Sequence, residues 1–67
     1  MSDIKIVKRR DRAILMAETL KGELWIKRNV IAPNINNRRL TYTSINSDLL
    51  EDFIVNLNEA EITYEVV

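Results

Sequence analysis

Between Leu49 and Leu57, apolar side chains fall at Leu49, Leu50, Phe53, Ile54 and Leu57. This is the 3.6-residue period of a helix that buries one side. Directly afterwards the pattern becomes strict alternation: Ile62, Tyr64 and Val66 point one way, and Glu61, Thr63 and Glu65 the other. A one-sided helix followed at once by a half-buried strand needs a sheet on which both can pack, which constrains the chain to a layered α+β fold. The helix is predicted over about residues 47–58. Ser47 or Asp48 is placed to cap its start, Glu51 to complete a capping box with Asp48, and Asn58 to end it in a left-handed conformation.

Upstream, "IKIVK" (residues 4–8) reads as a strand with Ile4 and Ile6 on one face. "RRDR" then interrupts the apolar pattern as a turn. The stretch "AILMAETLKGELWIKRNVI" admits two readings. Residues 13–20 form a short helix, with Asp11 as its cap and Gly22 as its stop. Alternatively, residues 13–19 and 23–31 form the arms of a hairpin, with "LKG" as the turn and Gly22 left-handed. The hairpin is preferred, because so short a helix is marginal alone and makes a very short crossover. "GELWIKR" (residues 22–28) reads as a returning strand in either case. "APNINN" is a loop, and "RLTYTS" a short strand with Leu40 and Tyr42 on one face and Thr41 and Thr43 on the other. The predicted fold is a single small domain over residues 1–67. It has a curved antiparallel sheet or partial barrel of four to five short strands, with one amphipathic helix before the C-terminal strand.

Size limits what such a fold can bury. A chain of 67 residues hides only about 60% of the surface its unfolded form exposes. Domains this small usually gain a disulfide, a metal or a partner chain. With no cysteine and no histidine, the first two devices are not expected, so a protein partner or a homo-oligomer is. The same absences remove thiol and imidazole chemistry, and a single glycine leaves no Gly-rich phosphate loop. Asp48, Glu51 and Asp52 do not follow the spacing of a calcium loop. A non-enzymatic protein without a cofactor is therefore expected. No apolar run approaches about 18 residues, and residues 1–12 lack the apolar core of a leader peptide. These features, with the lack of cysteine, suggest a cytoplasmic protein without a membrane contact.

The formal net charge of zero hides a partition. All ten Lys and Arg residues lie at or before Arg39, together with four of the ten acidic residues, and the other six acidic residues follow it. The first part thus carries a net +6 and the second −6. Asymmetry of this kind points to a charged partner, a nucleic acid, or attraction between the halves.

Two candidate surfaces follow. Asp48, Glu51, Asp52, Val55 and Glu59 share the outer side of the predicted helix, an acidic face with an apolar centre suited to a basic protein surface. Trp25 joins them either as the closing edge of the core or as an anchor for a partner at the sheet edge. The other surface is Lys8, Arg9, Arg10 and Arg12 with Arg38 and Arg39, which would form one nucleic-acid patch if the two loops lay together. The expected function is a small protein–protein interaction module. By analogy it is of the kind made by phages and mobile elements to inhibit or modulate a host complex. Nucleic-acid binding through the basic half is the alternative.

Overall fold

The computed structural model describes residues 2–67; Met1, the first residue of the segment considered above as a leader, lies outside them. The elements run β1 (Ile4–Lys8), β2 (Arg12–Ala17), α1 (Leu20–Asn29), β3 (Asn34–Ile35), β4 (Thr41–Asn46), a 3₁₀ turn (Ser47–Leu49), α2 (Leu50–Glu59) and β5 (Tyr64–Val66). The five strands form one open sheet in the order β3-β4-β2-β1-β5. This is an α+β domain in which an amphipathic helix precedes the last strand, as expected. β1–β2, β2–β4 and β3–β4 pair antiparallel, whereas β5 lies parallel to β1 at an edge, so the sheet is mixed rather than antiparallel. The reason is α2, which carries the chain from β4 across the sheet to its far side.

Register sorts the side chains into two faces. Ile4, Ile6, Ala13, Leu15, Ala17, Thr41, Thr43 and Ile45 form the inner face and are buried. α1 contributes Trp25 and Ile26 to this core, and α2 contributes Leu50 and Leu57, with Phe53 and Ile54 packed against it. Trp25 and Phe53 join the two helices edge to face, with ring centroids 6.0 Å apart and planes at 74°. In β4 it is the threonines that face inward. Thr41 is 1% exposed, and its hydroxyl donates to Glu23 Oε1 at 3.0 Å, so the polar group is not stranded.

Residues 23–31 are not the second arm of a hairpin. The strand reading of residues 13–19 agrees with β2, but α1 replaces the returning strand and is the fold's second helix. Its local causes are clear. Thr19 is the N-cap, accepting a hydrogen bond from the Gly22 N–H; Glu23 lies in the first turn, and Lys27 and Arg28 lie in the last. Lys27 and Glu23 pair one turn apart at 3.2 Å. Gly22, Trp25 and Ile26 are the buried positions, at helical spacing. Gly22 has no positive φ. A Cβ there would overlap the Asp3 carbonyl oxygen and stand 2.9 Å from its carbon. The glycine is needed for close approach of α1 to β1, not for a turn.

The termini of α2 also differ from expectation. Neither α2 nor the 3₁₀ turn before it has a side-chain cap. Ser47 is used elsewhere: its N–H donates to the Asp11 carbonyl at 2.9 Å and its hydroxyl to the Arg10 carbonyl at 3.4 Å, which pins α2 to the β1–β2 turn. Glu61, not Asn58, takes the left-handed conformation, with φ 58°. The Glu61 N–H donates to the Asn58 carbonyl and the Ile62 N–H to the Leu57 carbonyl. This is a Schellman ending, closed by contact of buried Ile62 and Leu57.

Candidate functional site

The expected surfaces now have positions. On α2 and the 3₁₀ turn before it, spacing of three and four residues puts Asp48, Glu51, Asp52, Val55 and Glu59 on one side. All five are exposed, and Val55 is 53% exposed at the centre of the acidic stripe. The stripe faces away from the sheet, because Leu50 and Leu57 take the inward positions. Among the described residues the one ion pair is Lys27–Glu23, so none of the four carboxylates of the stripe is paired with another of them.

Trp25 is elsewhere. It stands on α1 rather than on an edge strand and is 8% exposed. The helix buries it because it follows Gly22 by three residues, on the same inward side. What remains visible of the indole lines a shallow groove of about 270 Å³ with Lys21, Leu24, Arg28, Ala60 and Ile62.

The basic residues do not form one patch. Lys8, Arg9 and Arg10 surround the β1–β2 turn, closed by the Arg9 N–H donating to the Arg12 carbonyl at 2.7 Å. Arg38 and Arg39 occupy the β3–β4 turn, where Asn36 Oδ1 accepts from the N–H groups of Arg38 and Leu40 and Arg39 has φ 62°. Arg12 pairs with Asn46, and Met16 with Tyr42, so the two turns sit at opposite ends of β2. At about 3.3 Å per residue, the length of β2 alone separates them by about 17 Å. The condition under which six cations form one patch is therefore not met. Arg12 is held flat over β4: Nε donates to Ser44 Oγ at 2.9 Å, Nη1 to Asn46 Oδ1 at 2.9 Å and Nη2 to the Ser44 carbonyl at 3.0 Å.

A surface not anticipated from the sequence is the outer face of the sheet. Both helices pack on the inner face, and the outer one is left open. Across it run Lys5, Met16 and Tyr42 in one row and Val7, Ile14 and Ser44 in the next, all half-buried. The signal was the alternation in "RAILMAE", which puts Arg12, Ile14, Met16 and Glu18 on one side of β2 and Ala13, Leu15 and Ala17 on the other. The same stretch also satisfies a helix reading, which hides the alternation.

Two carboxylates are structural. Asp3 Oδ1 accepts from the Thr19 hydroxyl at 2.7 Å, and Oδ2 accepts from the Thr63 N–H and hydroxyl at 3.2 and 3.1 Å. These bonds, Thr19 foremost, hold its pKa below the ordinary 3.8. Glu23 is lowered by the Thr41 hydroxyl first and then by Lys27.

No helix among the described residues is long and apolar enough to cross a membrane. Comparison of the chain with protein families, with curated proteins and with solved structures finds no match.

Proposed function

We propose that this chain is a small non-enzymatic protein-interaction module that presents the outer stripe of α2 to a basic protein surface. The observation that carries the reading is the exposed set Asp48, Glu51, Asp52 and Glu59 around Val55, with no ion pair to another of the described residues. Charge of one sign around an apolar centre steers a complementary partner and leaves a desolvated contact in the middle. Modulation of a larger complex fits a domain this small, which gains stability by docking.

The test compares wild type with an E51K/D52K/E59K variant, each immobilised and exposed to nuclease-treated and untreated cell lysate. The reading expects a protein set retained by wild type in both halves and lost by the variant. Equal retention by the two removes α2 from the proposal. Retention that needs intact nucleic acid favours the alternative role for Lys8, Arg9, Arg10, Arg12, Arg38 and Arg39, now as two separate clusters.

A further inference from the structure

The open face of the sheet has a self-complementary pattern along its central strand. β2 is third of five strands. On its outward side the order is Arg12, Ile14 and Met16, with Glu18 one residue past the strand's end beside Met16 and Lys5: a cation, two apolar residues and an anion. Glu18 is exposed, and lines with Met16 and Lys5 a depression of about 390 Å³ that also holds Arg38. We propose that two copies of this chain pair through these open faces, with the two-fold axis crossing β2 at right angles midway between Ile14 and Met16.

That axis runs the two β2 strands antiparallel. It sets Arg12 of each copy opposite Glu18 of the other, and Ile14 opposite Met16 in both directions. Stacked sheets meet at an angle of about 30°, so correspondences blur toward the edge strands but survive on the strand that the axis crosses. Val7 and Tyr42 flank the centre on the neighbouring strands and widen the apolar contact. Lys5 and Glu65 are cross-strand neighbours, so the flank of the face also carries both signs. Arg12 is fixed by three hydrogen bonds to β4 and loses little freedom on pairing.

The face is small. Strands of five, six, two, six and three residues, at about 3.3 Å per residue and about 4.8 Å between strands, cover about 350 Å², or about 700 Å² over two copies. This is below the size of a stable interface and implies a weak, transient dimer. A symmetric pair cannot be made from the α2 stripe and the open face together, because they lie on opposite sides of the molecule. That contact would be head-to-tail and open-ended.

Sedimentation equilibrium of the full chain from about 10 μM to about 1 mM spans the affinities expected of such an interface. The mass should rise to that of two chains and stop. R12E and E18R should each weaken association about tenfold or more, since each sets like charges against each other. An equimolar mixture of the two variants should recover a heterodimer, while circular dichroism confirms that each is folded. Glu18 makes no side-chain hydrogen bond among the described residues, so E18R decides the matter if R12E does not fold. A mass of one chain throughout, growth beyond two chains, or an E18R variant that dimerises like wild type overturns the proposal. Loss of the α2 interaction leaves it untouched, because the two surfaces share no residue.

Discussion

Glu61 occupies a left-handed conformation that an L side chain adopts at a cost of about 1–2 kcal/mol. It stays there because the Schellman bonds and the buried contact of Ile62 with Leu57 fix the exit from α2. The Lys21 ammonium donates to the Glu61 carbonyl at 2.9 Å, a bond that does not depend on the side chain. Glu61→Gly should therefore stabilise the protein by about 0.5–1 kcal/mol, the relief being partly offset by a freer unfolded chain. Urea unfolding reads this as a higher midpoint at unchanged slope. Asp3 is the other residue with a distinct signature. Its pKa is lower folded than unfolded, so its contribution is fully present above the unfolded value and is lost as pH falls through the folded one. Stability measured by urea titration should decline as pH drops below about 4. In Asp3→Asn that decline should be shallower, with what remains due in part to Glu23. An unchanged acid limb in the variant would show that Thr19 and Thr63 do not favour the ionised carboxylate.

α2 and β5 were legible in the sequence because each satisfies one period without competition. Leu50, Phe53, Ile54 and Leu57 have no rival alternation, and Ile62, Tyr64 and Val66 have no rival stripe. α1 was not legible because Leu24, Trp25 and Ile26 are contiguous and apolar, so no short window distinguishes the two periods. Only the fold shows that Leu24 is exposed while Trp25 and Ile26 are buried. The acidic stripe was readable because it is the complement of a clear apolar one. The dispersal of the cations was not, since it depends on how β2 separates two turns remote in sequence. Gly22 was misread for the same reason: its requirement is the backbone of Asp3, which sequence does not place beside it. Gly22→Ala tests the corrected role. Alanine favours a helix by about 1 kcal/mol, but forcing a methyl into a packed contact costs about 1–3 kcal/mol. A net loss of up to about 2 kcal/mol is expected by chemical denaturation. A gain would mean that α1 does not lie against β1 as closely as the geometry requires.

At the scale of the molecule, the charge partition of the sequence becomes an interleaving in space. β1, β2 and β3 belong to the basic part and β4, α2 and β5 to the acidic part, yet in the sheet β2 and β1 lie between β4 and β5. Lys5 sits across from Glu65, and the turn bearing Arg9 and Arg10 is bonded to Ser47 beside Asp48. One ion pair closes among the described residues, so this attraction acts through solvent rather than through contacts. The molecule spans 26 × 26 × 23 Å. At 0.01 M salt the screening length is about 30 Å and every charge feels every other; at 1 M it is about 3 Å and none does. Folding brings a +6 segment and a −6 segment from a loose chain into a compact body, which low salt favours and screening removes. Stability should fall by about 1 kcal/mol as sodium chloride rises from about 0.01 to 0.3 M. The measurement is urea unfolding at a fixed dilute concentration, where any dimer has dissociated and the effect belongs to one chain. A midpoint that rises steadily from the lowest salt would mean that repulsion within the basic part outweighs its attraction to the acidic part. The interleaving would then be a consequence of the sheet topology and not one of the forces that select it.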